Sequence, residues 1–363
     1  MMGIAGKSGK WKNLASFAAV LSLVSGSVAF GVSTGASAST KHGARRATSK
    51  QLVVGFTNPT EAQPVLDYMG KGIIARAKRL GVKVIELDDQ LTITKQVSDI
   101  NTLVGEHVNG IINFPLDTTA VGPAIASARK AGIAVVGIGV LKGTSLTYKP
   151  SATSFQAVVN QGGIPGGKEV GGFLAKALHD KGNFVAIGLS IPVPGVIYQL
   201  KQSVDGALRG HSGMHFLGEV YNSTDNETGG LKAMDEAIAH WGKKINGVIA
   251  YNDLSAIGAA IALKQNHMSK VVITGRNGDV QGVAAVKSGQ ISALDTILPW
   301  TEGATAMNLI YRLIKGTKHV PAIGAVNNLL YTKATIRKRL SWTKAIQELS
   351  KGKLIGTDAP SSS

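Results

Sequence analysis

Short apolar runs rich in β-branched residues alternate along the chain with longer stretches in which apolar positions recur at helical spacing. The run at 51–57, for example, is followed by helical spacing over 61–80 and by a second apolar run at 82–87. This alternation is typical of βαβ units, which build parallel sheets. The predicted strands are 51–57, 82–87, 110–114, 133–139, 183–190, 214–220, 245–251, 270–275, 291–295 and 328–331. The predicted helices are 61–80, 93–107, 118–131, 166–180, 196–209, 229–241, 255–265, 280–288, 302–315 and 336–349.

The alternation forms two runs of comparable length, which divide between residues 140 and 160. A chain of 363 residues is long enough for two such lobes. The predicted fold class is therefore α/β, with two doubly wound parallel-sheet lobes joined by hinge crossovers. We expect one domain over 51–345, with lobe 1 at about 51–142 and 299–328, lobe 2 at about 143–298 and 329–345, and a C-terminal tail at 346–363.

The first fifty residues predict an exported protein. Three lysines precede an apolar run over 14–30, and a small-x-small cleavage pattern follows at 36–38. Residues 1–38 are therefore expected to be a signal peptide and the polar segment 39–50 a disordered leader. The alternative is a single membrane anchor, for which the glycines and serines make the run weakly apolar. We expect a periplasmic location, with secretion or a place on the cell surface as the alternatives.

The composition narrows the chemistry of the chain. There is no cysteine, which excludes disulfides, thiolate metal sites, cysteine nucleophiles and a lipoprotein anchor. The formal net charge is +17, but residues 1–50 carry seven basic residues and no acid, which leaves +10 for the remainder. Basic charge can serve nucleic acid or an anionic membrane surface. Because no stripe of Lys and Arg is interleaved with aromatic residues, we interpret the charge as a solvated surface and expect no nucleic-acid partner.

The usual signatures of a catalytic site are missing from the sequence. The segment 188–192 places a serine after a predicted strand but lacks the second glycine of a nucleophile elbow. The glycines over 162–167 fail the phosphate-loop spacing, since an acid follows the lysine. His211 and His215 are four apart, but the segment between them predicts a turn into a strand and not a helix with both on one face. We therefore expect no catalytic residue, no metal site and no cofactor.

Candidate binding residues follow from the predicted topology. Ligands of doubly wound sheets lie beyond the carboxyl ends of the strands. Two such sheets that face each other form a cleft, and closure about hinges traps a small ligand there. The residues just after each predicted strand are therefore the ones expected to contact a ligand.

Several strand-end segments follow one another as they do in a known family. NGIINFPLD at 109–117 and AGIAVV at 131–136 are two of them. The others are 81–84, 95–100, 166–168, 252–259, 275–278 and 330–333. In this order and spacing the chain resembles the ribose/galactose-type periplasmic binding proteins of ABC sugar transporters, which share their fold with the effector domains of LacI-type repressors. The resemblance covers about 51–345 and implies a type I periplasmic binding protein fold.

The resemblance implies binding without chemistry. The expected function is that of an extracytoplasmic solute-binding component of an ABC transporter, which holds a sugar or a sugar-like polar molecule between its lobes. The implied partners are the small ligand and a membrane permease, and the implied state is a monomer. One alternative is a periplasmic sensor that presents its ligand to a receptor kinase or chemoreceptor. Another is a LacI-type regulator, which needs a DNA-reading helix-turn-helix where this chain has its predicted signal peptide.

The resemblance also implies ligand contacts, with two departures. Relatives that bind ordinary sugars place one acid just after the strand that ends AGIAVV and another where Asn277 stands. Here the first position holds Gly139-Val140, and Arg276 precedes Asn277, where it pairs either with an anionic ligand group or in a surface salt bridge. Aromatic faces and planar polar groups, which sugars require, remain available. The predicted ligand contacts are Phe56, Asn58, Phe114, Gln161, Tyr198, Tyr251, Asn252, Asn277 and Trp300.

Five of these candidates have an alternative structural role. Phe56 and Phe114 end apolar strands, so the alternative is packing in the core. Asn252 is also suited to a helix N-cap, and Asn277 to a turn before a glycine. Trp300 is also suited to packing at a hinge.

Overall fold

The strands that the structure describes form two six-stranded sheets. The computed structural model describes residues 51–140, 147–161, 164–326 and 328–353, without the side chains of residues 161, 164 and 165. The predicted signal peptide and leader, 1–50, lie outside the described residues. Among the helices that are described, none has both the length and the apolar character needed to cross a bilayer.

The first sheet belongs to lobe 1, and all its strand pairs are parallel. Its strands are β1 (Val53–Asn58), β2 (Lys83–Asp88), β3 (Gly110–Asn113), β4 (Ala134–Ile138), β5 (Ala157–Gln161) and β11 (Ile323–Val326), in the order β11-β5-β4-β3-β1-β2. Its helices are α1 (Pro64–Leu80), α2 (Ile93–Gly105), α3 (Thr118–Lys130), α9 (Pro299–Ile314) and α10 (Trp342–Ser350). Every residue of β3 and β4 is buried, as is typical of parallel strands with helices on both faces.

The second sheet belongs to lobe 2. Its strands are β6 (Lys181–Leu189), β7 (Gly213–Asn222), β8 (Gly247–Ala250), β9 (Val272–Asn277), β10 (Ala293–Thr296) and β12 (Leu329–Thr332), in the order β12-β10-β9-β8-β6-β7. The edge strand β12 runs antiparallel to β10, and the other pairs are parallel. Its helices are α4 (Ile164–Ala177), α5 (Pro194–Leu208), α6 (Glu227–Trp241), α7 (Asp253–Gln265) and α8 (Val280–Ser288). Short 3₁₀ turns lie at Gly242–Lys244 and Ile336–Lys338.

Within the described residues the chain passes between the lobes four times: after β5, after β10, after β11 and, on the way to α10, after β12. Because of where these crossovers lie, two lobe boundaries differ from the predicted ones. The sequence placed the first division near residue 142, but β5 pairs with β4 and β11 in the first sheet, so lobe 1 continues to Gln161. The predicted end of lobe 2 at 345 is also shifted. The 336–349 helix divides into a 3₁₀ turn and α10, and α10 packs on α1 and α9 of lobe 1 as far as Ser350.

The second crossover is anchored by a close approach of α1 and α9. A Cβ atom on Gly72 would lie 2.2 Å from the backbone oxygen of Trp300, so only glycine fits there. The Trp300 ring is 2% exposed and meets Trp342 of α10 edge-on, with 6.0 Å between ring centroids. The start of α9 is therefore fixed to lobe 1.

We expect Gly72→Ala to lower the free energy of unfolding by about 1–3 kcal/mol, because the added methyl must push α9 away. The matched control is Gly122→Ala in α3, where a Cβ would have no neighbour within 4 Å. That change should raise the free energy of unfolding by about 0.5–1 kcal/mol, since alanine is the better helix former. Urea denaturation measures both, and equal effects of the two substitutions would contradict the contact.

Candidate functional site

The carboxyl ends of strands from both sheets face one cavity of about 60 Å³, which we call the cleft. Leu189 ends β6, Tyr251 and Asn252 follow β8, and Asn277 ends β9, so the topology itself brings them together. The lobe 1 wall of the cleft is formed by Pro59, Gln63, Val65, Leu66, Leu91, Phe114 and Leu116. The lobe 2 wall is formed by Leu189, Val193, Val196, Asp225, Tyr251, Asn252, Arg276 and Asn277, and Ile297 lies in the second crossover.

Asp225 is the centre of a buried polar network on the lobe 2 wall. It lies in the turn after β7 with a φ of 51°. Its Oδ1 atom accepts hydrogen bonds from the Tyr251 hydroxyl and from Asn252 Nδ2, the latter at 2.8 Å. Burial raises the pKa of Asp225 to about 6, although the hydrogen bonds that it accepts act in the opposite direction. Burial and the neighbouring Asp225 carboxylate raise the pKa of Tyr251, so this phenol stays a hydrogen-bond donor.

Asn252 serves both the network and the fold. It is the N-cap of α7, with Oδ1 accepting from the Ser255 backbone N–H at 2.8 Å. Its Nδ2 atom donates to Asp225, so the cap fixes the direction of the amide. Of the two roles that the sequence left open for Asn252, the N-cap is observed, and ligand contact stays a prediction for a side chain that lines the cleft.

Arg276 brings a buried cation to the cleft. Its Nε atom donates to Asp295 Oδ2 at 3.3 Å, and Asn328 Nδ2 donates to the same oxygen at 2.7 Å. Within the described part of the chain, the Arg276 Nη2 atom is buried and has no hydrogen-bond partner. Burial lowers the pKa of Arg276, and the acids around it raise that pKa. For Asp295 burial raises the pKa, while the charge of Arg276 lowers it.

One hydrogen bond joins the two walls directly. Gln63 precedes α1 in lobe 1, and its Nε2 atom donates to the backbone oxygen of Asp225 in lobe 2. Asp225 thus accepts from Gln63 of lobe 1 through its backbone and from Tyr251 and Asn252 of lobe 2 through its side chain. The contact between the lobes is therefore linked to the polar network of lobe 2.

Four of the predicted contacts line the cleft: Phe114, Tyr251, Asn252 and Asn277. Asn277 is also one of the non-glycine residues with positive φ, at 106°. Such strain is found mainly where function fixes the backbone. The Gln161 backbone lies in β5, and its side chain lies outside the described residues.

The other four predicted contacts do not line the cleft. Phe56 is fully buried in the core, because it pairs with Ile112 inside the sheet and not beyond its edge. Asn58 donates to Glu86 Oε1 at 2.8 Å within lobe 1. Tyr198 is buried in α5, and Trp300 packs on α10 as described above. These side chains are held in the lobes on either side of the cleft.

Asp225, like Gln63, lines the cleft but was missed by the sequence analysis. The predicted strand ended at Val220, whereas β7 runs to Asn222, so the strand end was placed too early. The signal that points to the site is the polar run 222–226 after that strand. For metals, the described residues contain no group of three or more His, Cys, Asp or Glu placed to hold an ion. His211 Nδ1 instead lies 2.8 Å from Asp180 Oδ1.

The periplasmic binding protein domain family matches residues 54–318. The chain belongs to this family. A ribose import binding protein of Bacillus subtilis is 27% identical over 283 residues, covering 76% of this chain and 86% of the relative. A xylitol-binding protein of Mycolicibacterium smegmatis is 25% identical and covers 68% of each chain. The relatives are binding proteins, which confirms the expectation of binding without catalysis.

Solved structures of binding proteins share the fold. An ABC transporter solute-binding protein from Bacillus halodurans with bound myo-inositol has a TM-score of 0.70 at 20% identity, covering 80% of this chain and 98% of its own. One from Mycobacterium smegmatis with bound glycerol has a TM-score of 0.71 at 24% identity, covering 80% and 96%. The two-lobed fold class expected from the alternation of strands and helices is confirmed.

Proposed function

We propose that this protein captures a sugar or a related polyol outside the cytoplasm and delivers it to the permease of an ABC importer. Its matched relatives are named for ribose and xylitol, and structures of the same fold hold inositol and glycerol. The sequence pattern at 1–38 supports export to the periplasm. The binding unit acts as a monomer whose two lobes close on one ligand.

The observation that carries the proposal is the set of polar groups at the strand ends of lobe 2. Asp225 offers carboxylate oxygens, Asn252 and Asn277 offer amides, and Arg276 offers N–H donors, all around one cavity. Planar groups of this kind bind neighbouring hydroxyls in pairs, and the aromatic rings of Phe114 and Tyr251 suit C–H faces. Phe114 faces them from the opposite lobe, so a ligand in the cleft contacts both lobes.

Closure is the physical basis of delivery. A ligand that bridges the walls stabilises the closed arrangement by the difference between its contacts in the closed and open forms. The bond from Gln63 to Asp225 belongs to that closed arrangement, because its atoms come from opposite lobes. The permease then recognises the paired lobe surfaces, which come together only when the cleft is closed.

A thermal-shift screen of the exported protein tests the proposal. A ligand present at about a hundred times its Kd stabilises the folded state by about 2.7 kcal/mol, which gives a clear rise in Tm. We expect the rise with a sugar or polyol, against parallel sets of amino acids and nucleosides. Stabilisation confined to the amino acids or nucleosides would contradict the proposal.

Asn252 allows stability and binding to be separated. Both Asn252→Ala and Asn252→Ser should lower affinity for the stabilising sugar or polyol at least about tenfold, since the donor to Asp225 is lost. Serine still caps α7, so only the alanine variant should lose the additional cap energy of about 1 kcal/mol. Ser341→Ala, which removes the N-cap of α10, is the matched control and should leave affinity unchanged. Calorimetry with urea denaturation measures both quantities, and normal affinity in either Asn252 variant would exclude this residue from the site.

A further inference from the structure

The two walls of the cleft differ in chemistry. Among its described residues, the lobe 1 wall is apolar except for Gln63, and the Gln63 amide nitrogen already donates to the Asp225 backbone. Leu66, Leu91 and Leu116 present aliphatic surface instead. A hydroxyl group directed at this wall therefore meets hydrocarbon.

Among the described residues, the polar side chains near the carboxyl ends of β1 and β3 donate inside their own lobe, and Asn113 Oδ1 is a buried acceptor with no partner there. Asn58 Nδ2 donates to Glu86, and Asn113 Nδ2 donates to the Thr57 hydroxyl at 2.8 Å. Gln96 Nε2 donates to Asp89 and to the Phe114 backbone oxygen, while its Oε1 accepts from the Leu116 N–H. The backbone of the apolar wall is thus fixed by a side chain that itself faces away from the ligand.

The lobe 2 wall carries the polar contacts. Asp225 and Asn252 form the network described above, and Asn277 lies beside them. Arg276 lines the cleft and is 8% exposed, and its Nη2 atom has no partner among the described residues, so this wall holds an unpaired buried donor. Unpaired buried donors are costly, which makes this atom an independent sign that the ligand supplies an oxygen there.

We propose that the ligand is a two-faced polyol: its oxygens line one side, toward lobe 2, and a deoxygenated carbon or methyl group lies against the lobe 1 wall. This inference rests on the proposed function and narrows its ligand class. A fully hydroxylated aldose of the same shape leaves at least one hydroxyl unpaired against the leucines, whereas a deoxy sugar buries only C–H groups there.

The test compares sugars that differ by one oxygen. The pairs are L-galactose with L-fucose, L-mannose with L-rhamnose, and D-ribose with its 2-deoxy and 5-deoxy forms, titrated by calorimetry. We expect at least one deoxy sugar to bind about tenfold or more tightly than its parent. Parents that bind as tightly as their deoxy forms in every pair overturn the two-faced ligand but keep the sugar-binding function. If neither member of any pair binds, the two-faced ligand is overturned, and the thermal-shift screen decides the sugar-binding function separately.

A substitution on the lobe 1 wall gives a second measurement. Leu91 has a φ of 53°, a conformation that asparagine tolerates well, so Leu91→Asn introduces an amide without new backbone strain. The Leu91→Asn variant should show an about tenfold smaller preference for the deoxy sugar over the parent sugar, because the new amide pairs with the additional hydroxyl of the parent. Val65→Thr, which adds a hydroxyl with little change in shape, should act in the same direction.

The matched control is Ile74→Asn on the exposed face of α1, where the side chain is 46% exposed. It makes the same kind of change outside the cleft and should leave the preference as it is in the natural protein. An unchanged preference in both Leu91→Asn and Val65→Thr would show that the ligand does not contact this wall.

Discussion

Replacing Asp225 by alanine is expected to lower ligand affinity more than about a hundredfold and to destabilise lobe 2 by about 2–4 kcal/mol. The substitution leaves the Tyr251 hydroxyl and the Asn252 amide without their shared acceptor in a buried site. Each unpaired donor costs about 1–3 kcal/mol, and the ligand loses its carboxylate contact as well. Equilibrium denaturation and calorimetry measure the two effects. An alanine variant with normal affinity would remove Asp225 from the binding site.

Asp225→Asn separates the charge from the shape. Asparagine keeps one acceptor oxygen and tolerates the positive φ of 51°, so the variant should fold. The folded-state pKa of Asp225 is raised to about 6, above the unfolded value near 4, so the folded state holds a proton that the unfolded state has already released. The contribution of this carboxyl to stability is therefore present below pH 4 and is lost as the pH rises to 6. The loss amounts to about 3 kcal/mol.

We therefore compare the free energy of unfolding of Asp225→Asn with that of the natural protein. Between pH 4 and pH 7.5 this difference should shift by about 3 kcal/mol in favour of the variant. Comparing the two proteins at each pH cancels the titration of every other group. Asp205→Asn, in the exposed pair with Lys201, is the control, because it makes the same change of acid to amide outside the cleft. A difference between the Asp225→Asn variant and the natural protein that does not vary with pH would mean that Asp225 is not buried as described.

The period of the apolar runs was sufficient to predict most elements, because a parallel strand buried on both faces is a continuous apolar run. β3, β4 and β8 are all of this kind, with every residue buried. β5 and β11 were missed for a physical reason. Both strands are short, with five residues in β5 and four in β11, and the described residues 147–156 before β5 contain no helix that would have set it apart from β4. Missing β5 also misplaced the first crossover.

The sequence predicted residues of the site where it predicted the end of a strand correctly. Tyr251 and Asn252 follow β8 directly, so the position of that strand was enough to place them in the cleft. Phe56 fails the same rule because it lies inside β1, paired with Glu86 and Ile112, and its side chain is buried in the core. The position of Asp225 at the cleft depends on where β7 ends and on a turn with positive φ. A pattern of apolar residues reveals neither of these.

The buried pair of Arg276 and Asp295 should show the largest coupling in the protein. Arg276→Met leaves the Asp295 carboxylate buried without its cation, and Asp295→Asn leaves the guanidinium buried without its acid. Each single substitution is expected to lower the free energy of unfolding by about 3–5 kcal/mol. The double variant removes both charges, and Asn328 can still donate to the new amide oxygen, so at least about half of that loss should be recovered.

The double variant of Arg276 and Asp295 should recover stability but not ligand affinity. Because Arg276 lines the cleft and we propose that its Nη2 atom donates to the ligand, the double variant should remain at least about tenfold weaker in affinity than the natural protein. The same cycle on Lys201→Met and Asp205→Asn, an exposed pair with 2.8 Å between Nζ and Oδ2, is the control and should give a coupling below about 1 kcal/mol. Additive losses in the Arg276 cycle would mean that the two charges do not stabilise each other. Normal affinity in the double variant would assign Arg276 to the fold alone, since binding would then not need its guanidinium.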